Sequence, residues 1–120
     1  MAKKTLVVGA SENTSRMSAK VIKLLSDKNH EIIALGRKDG FIHEVDIISE
    51  KILVDDVDTV TMYVNPQNQS QFTDYILNLK PKRVIFNPGS ENHGFAKQLR
   101  DHGIETLNAC TMVMLSTDQF

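Results

Sequence analysis

Residues 9–16 read Gly-Ala-Ser-Glu-Asn-Thr-Ser-Arg, a loop whose residue types could hold an anion. It follows a short apolar run and leads into a segment with helical spacing. The exposed backbone N–H groups and positive dipole end of that helix would favour a phosphate. The loop is long, and Ser11, Asn13 and Ser15 add side-chain hydrogen-bonding groups. Arg16 closes the loop with a fork that matches phosphate in a bidentate manner. No second or third glycine follows Gly9 in the spacing of the dinucleotide fingerprint. A blander reading stands beside this one, in which Ser11, Asn13 and Ser15 only cap the helix.

A second loop reads Gly36-Arg37-Lys38-Asp39. Enzymes that bind NAD need an acid at the end of the second strand for the ribose diol, and here two cations come first. Two cations suit a phosphorylated ribose, either NADP with its 2′-phosphate or coenzyme A with its 3′-phosphate. The alternative is that Arg37 and Lys38 are ordinary solvated cations.

These loops need elements to position them. Residues 5–9 are an apolar run ending in glycine, as a strand buried on both faces reads. Met17, Val21, Leu24 and Leu25 recur at helical spacing, and the pattern stops at residues 27–29, where Asn29 suits the left-handed C-terminal position. Residues 31–35 complete a strand-helix-strand unit. Residues 40–58 fit neither period; the reading is a short edge strand at 44–47 and an irregular helical turn after it. Their six acids lack the glycine-centred spacing of a calcium loop, so no metal site is expected.

Residues 59–64 form a β-branched strand, then come Asn65-Pro66 and a helix carrying Phe72, Ile76 and Leu79, which Pro81 stops. A strand at 83–86 leads into Asn87-Pro88-Gly89-Ser90, a turn with Ser90 as N-cap, and a helix with Phe95, Ala96 and Leu99 ends at Gly103. Residues 104–107 make a further strand, and Met112 to Leu115 an apolar tail that serves as core filler or a docking strand. Packing of the tail on a second subunit would give a homo-oligomer; the sequence leaves this open. Alternating strands and helices predict an α/β fold, a doubly wound, Rossmann-like parallel sheet of about five strands with helices on both faces. In such sheets ligands bind beyond the carboxyl ends of the strands where strand order reverses. The loops beginning at Gly9, Gly36, Asn65 and Asn87 are therefore expected to converge.

Taken together, these residues resemble the small single-domain CoA-binding proteins, which are similar to the CoA-binding domain of the succinyl-CoA synthetase alpha subunit. The resemblance rests on Val7-Val8-Gly9-Ala10-Ser11 with Ser15-Arg16, the basic residues after Gly36, Asn65-Pro66, Asn87-Pro88-Gly89-Ser90-Glu91-Asn92, and Ala109-Cys110-Thr111 before Met112. It covers essentially all of 1–120 and implies one domain binding coenzyme A or an acyl-CoA. Residues 9–16 would hold the pyrophosphate, Gly36, Arg37 and Lys38 would lie at the 3′-phosphate, and Val64, Asn65 and Pro66 would flank adenine or pantetheine. It implies Asn87, Pro88 and Gly89 at the same edge. In the synthetase, catalysis draws on a phosphorylated histidine and an ATP-grasp partner that this sequence does not supply, so binding without catalysis is expected.

Catalytic residues are expected to be absent for a second reason. Of His30, His43, His93 and His102, only His93 falls at the expected ligand edge, and no base or nucleophile partners it. Cys110, the single cysteine, reads as structural, and thiol chemistry with CoA would require a lowered pKa.

The whole composition narrows the partners. The 120 residues are 41% hydrophobic and 24% charged, the balance of a globular domain with one core. Fourteen Lys and Arg face fifteen Asp and Glu, giving a net charge of -1, without the surplus that nucleic acid or an anionic membrane requires. No apolar run approaches a membrane span, no signal peptide is evident, and one cysteine gives no disulfide framework. The expectation is a cytoplasmic protein with a small nucleotide ligand: coenzyme A or acyl-CoA, with an NADP-binding reductase or sensor as the alternative. A module that has lost its ligand is a third reading.

Overall fold

Thr5–Ala10 forms β1, the strand around which the rest is arranged. Leu6, Val7 and Val8 are at most 1% exposed, which only a strand covered on both faces achieves. Residues 2–120 are described by the computed structural model. After β1 come α1 (Met17–Asp27), β2 (Ile32–Gly36), β3 (Gly40–Ile42), β4 (Val45–Ile48) and β5 (Thr59–Met62). Two 3-10 turns, Pro66–Asn68 and Ser70–Phe72, lead to α2 (Thr73–Leu79), β6 (Arg83–Phe86), α3 (His93–Asp101), β7 (Glu105–Asn108) and α4 (Thr111–Ser116).

The strands form one sheet in the order β3-β4-β2-β1-β5-β6-β7. All neighbouring pairs are parallel except the antiparallel β3–β4 hairpin. The chain builds outward from β1 to β2 and then crosses back to β5. Order therefore reverses at β1, the place where such sheets bind ligands. Alternation along β1 splits the core. Leu6 and Val8 join Ile76 of α2 and Phe95 and Leu99 of α3, while Val7 joins Val21, Ile22 and Leu25 of α1 and Leu115 of α4. Each such large side chain, fully buried, stabilises by roughly 1.5–3 kcal/mol against leaving it in water. Helix α1 ends as its residues predict, with Asn29 left-handed at φ 64°. No helix among the described residues is long and apolar enough to cross a membrane.

Five expectations change. The sheet has seven strands where the sequence predicts about five. The strand expected at 44–47 is Val45–Ile48, and it is internal: β4 pairs with β2 on one side and with the three-residue β3 on the other. No helical turn follows it; residues 49–58 are irregular, held by the Tyr75 hydroxyl donating to the Ile52 carbonyl at 2.6 Å. The N-cap of α3 is Asn92, whose Oδ1 accepts from Phe95 N at 3.1 Å, while Ser90 donates its hydroxyl to Asn87 O. The tail at 112–115 is not a strand but part of helix α4, and it does fill the core, with Leu115 buried against α1.

Candidate functional site

The carboxyl ends of β1, β2 and β5 open onto a cavity of about 460 Å³. The first loop supplies Gly9, Ala10, Ser11, Glu12 and Arg16, the second Gly36, Arg37 and Lys38, and the third Val64 and Asn65. Two glycines bring these loops together. Gly9 takes φ 97° and interrupts the β1–β2 register, turning the chain out of the strand. A Cβ at Gly36 would stand 2.6 Å from the Ala10 carbonyl oxygen, so only glycine lets the first loop rest on the end of β2.

The hydroxyl-rich loop bonds to itself. Ser11 Oγ accepts from Asn13 N at 3.1 Å, and Asn13 Oδ1 accepts from the Ser15 backbone at 3.0 Å and hydroxyl at 2.7 Å. The N-cap of α1 is Arg16, in an extended conformation, and no side chain caps the helix. The first amides of α1 thus keep their donor capacity at the end where the helix dipole is positive. Arg16, Arg37 and Lys38 are exposed and form no salt bridge among the described residues. The site combines free backbone donors with three unneutralised cations, a donor set that fits a multiply charged phosphate ligand.

The remaining wall is apolar or amide: Leu35, Ile47, Tyr63, Asn68, Gln71 and Phe72. Lys51 Nζ lies 5.2 Å from the centre of the Phe72 ring, so the irregular segment after β4 leans on this wall. The Tyr63 hydroxyl is buried without a hydrogen-bond partner among the described residues, and burial pushes its phenol far above the ordinary value. It stays protonated at any physiological pH and cannot act as a base.

Some expected site residues lie elsewhere. Asn13, Ser15 and Pro66 shape the loops without lining the cavity, Pro66 by starting a 3-10 turn capped by Asn65 Oδ1 on Asn68 N. Asn87, Pro88 and Gly89 are not on the wall. Asn87 is buried: its Nδ2 donates to Thr61 Oγ1 at 2.8 Å and Met62 O at 2.9 Å, and its Oδ1 accepts from Thr111 N at 2.8 Å. The fourth loop is joined to the third through Gln69, which is fully buried. Its Nε2 donates to Val64 O at 2.8 Å and Ser90 O at 2.6 Å, and its Oε1 accepts from Asn92 Nδ2 at 3.0 Å. Gln69 and the wall residues Glu12, Leu35, Ile47, Tyr63, Asn68, Gln71 and Phe72 are not among the site residues expected from the sequence. Only the position of Glu12 inside the first loop signalled it. His93 is exposed at the start of α3, and Cys110 is half-buried as the N-cap of α4.

A larger concavity of about 780 Å³ lies at the opposite, amino ends of the strands, between Lys4, Lys82, Glu31 and Asp58. Its charges answer one another, Lys4 with Glu31 and Lys82 with Asp58, each at 3.8 Å.

Residues 3–116 match the family model described as CoA binding domain. The chain belongs to this family. A crystal structure of a protein described as uncharacterized is 48% identical, superposes with a TM-score of 0.97, and covers 100% of this chain and 99% of its own. A Thermus thermophilus protein, cell-free ID.343, superposes at 0.87 with 22% identity, over 99% of this chain and 91% of its own. The dinucleotide forming acetyl-coenzyme A synthetase 1 of Candidatus Korarchaeum cryptofilum superposes at 0.72 with 14% identity, over 90% of this chain and 26% of that one. The last two share the fold. No curated protein sequence matches the chain. Within this CoA binding domain, the cavity at β1, β2 and β5 is the place where the fold and the charge pattern agree.

Proposed function

We propose that this CoA binding domain holds coenzyme A or an acyl-CoA in the cavity at the first three loops. The observation that carries the reading is the uncapped start of α1 beside three cations that have no salt-bridge partner among the described residues. On this reading the pyrophosphate rests on the backbone of residues 9–16 with Arg16. Arg37 and Lys38 take the 3′-phosphate, and Val64 and Phe72 give the adenine or pantetheine an apolar wall.

Binding proceeds without chemistry of the domain's own. Neither His nor Cys lines the cavity among the described residues, and Tyr63 is held neutral. The reading includes a cytoplasmic location, supported by a single cysteine that has no partner in the chain for a disulfide.

Melting curves with coenzyme A, acetyl-CoA, dephospho-CoA, NAD and NADP test this. A ligand of the native state stabilises by about 2.7 kcal/mol at a hundredfold excess over its dissociation constant. Coenzyme A should raise the melting temperature with concentration, and dephospho-CoA should raise it less. No shift with coenzyme A overturns the proposal, and equal shifts for the two remove the 3′-phosphate role of Arg37 and Lys38. A larger shift with NADP transfers the site to the dinucleotide.

A further inference from the structure

Glu12 lies on the cavity wall with Arg16, Arg37 and Lys38, yet forms no salt bridge with any of them among the described residues. Its carboxylate is fixed by the sheet edge instead. Oε2 accepts from Phe41 N in β3 at 2.9 Å. Gly40 makes room for it, since a Cβ there would stand 2.7 Å from Glu12 Cδ. The other oxygen, Oε1, accepts nothing from the described residues.

A carboxylate held in a cavity otherwise suited to phosphate repels a phosphate and attracts a hydroxyl. Asp39, the acid nearest the usual ribose-binding position, is already engaged: its Oδ1 accepts from Ser49 N and Ser49 Oγ, both at 2.9 Å. Glu12 reaches the cavity from the first loop, while Arg37 and Lys38 reach it from the second, so the negative and positive groups approach a ribose from different loops.

We infer that Glu12 is a specificity-determining residue that reads which ribose carbon carries the phosphate. This rests on the coenzyme A reading of the cavity. Oε1 accepts the free 2′-hydroxyl, and the 3′-phosphate goes to Arg37 and Lys38. NADP carries the reverse pattern and would bring a 2′-phosphate against the carboxylate. Selectivity then comes from a repulsive element as well as an attractive one.

Two isomers of equal charge isolate this effect: adenosine 3′,5′-bisphosphate and adenosine 2′,5′-bisphosphate, titrated calorimetrically into the wild-type chain and Glu12→Gln. The wild type should prefer the 3′,5′ isomer by roughly tenfold or more, the scale of one charged hydrogen bond. Gln still accepts from Phe41 N, so the sheet-edge contact persists. Glu12→Gln should lose most of the preference, mainly by binding the 2′,5′ isomer more tightly. A structural role alone would change both affinities together and leave their ratio intact. An unchanged ratio in a variant that binds the 3′,5′ isomer overturns the inference and leaves the coenzyme A reading standing. A wild-type chain that binds neither isomer nor coenzyme A overturns both.

Discussion

Gly9 and Tyr63 meet backbone to backbone: a Cβ on Gly9 would stand 3.1 Å from the Tyr63 carbonyl carbon and 3.2 Å from its oxygen. Tyr63 N donates to Val8 O at 2.8 Å, so the turn out of β1 and the end of β5 are set against each other where the ligand loops begin. Gly9→Ala meets both this contact and a φ of 97° that L-residues rarely adopt. It should destabilise by roughly 1–3 kcal/mol in urea unfolding and reduce the coenzyme A melting shift. An unaltered urea midpoint would mean that the loops yield without cost.

Gln69→Ala leaves the Val64 and Ser90 carbonyls and the Asn92 amide without their partner. The loss should be about 3 kcal/mol by denaturation, since each buried group left unsatisfied costs roughly 1–3 kcal/mol. Because Val64 lies on the cavity wall, ligand affinity should fall as well. Stability near wild type would show that water replaces the amide fully.

The fourth loop separates structural from ligand roles. Asn87→Asp replaces the Nδ2 donor with an acceptor against Thr61 Oγ1 and Met62 O, in a site 3% exposed. It should cost on the order of 3 kcal/mol or more. Pro88→Ala, exposed and away from the wall, should leave coenzyme A affinity within about twofold. A tenfold weakening by Pro88→Ala would bring this loop back to the ligand.

Arg37→Ala with Lys38→Ala should weaken coenzyme A binding about tenfold or more and affect dephospho-CoA little, which calorimetry reads directly. Both side chains are exposed, so melting without ligand should stay close to wild type. Equal weakening of the two ligands would count against a 3′-phosphate contact.

Burial, with Lys3 and Lys28 nearby, pushes the His30 imidazole below its usual value. Its Nδ1 accepts from Lys3 N at 2.9 Å, and its ring meets the edge of Phe120. A histidine depressed in the fold contributes stability above the unfolded value, about 6.5, and loses it as pH falls below that. Between about pH 6.5 and 5 the wild type should lose melting temperature faster than His30→Gln. Parallel curves would show that His30 titrates alike in both states.

The parallel sheet was legible because its strands are short apolar or β-branched runs; residues 83–86 were predicted to the residue, and Asn29 marked a helix end. The β3–β4 hairpin was not, since it turns at His43 and Glu44, both with positive φ, and neither residue type announces a tight turn. Helix α4 hid because four apolar residues in succession carry no period. The convergence of the first two loops on one cavity was legible from their places at the carboxyl ends of strands. The wall beyond them was not, because Ile47 and Phe72 reach it only through the hairpin and the 3-10 turns. Gln69 gave no signal: a buried glutamine looks like any surface glutamine until its three partners are known.

Leu115, the buried apolar residue of α4, fills the same core as Val7 and α1, about a hundred residues away along the chain. Thr111 adds to the closure with its amide on Asn87 and its hydroxyl 2.9 Å from Thr61. During synthesis, the ribosome delivers α1 long before the segment that finishes its packing. Val7, Ala34, Ile42 and Ile47 can cover most of the apolar side of α1 early, but the patch that Leu115 fills stays open until residue 115 is made, and a pause before Thr111 leaves that patch exposed to association.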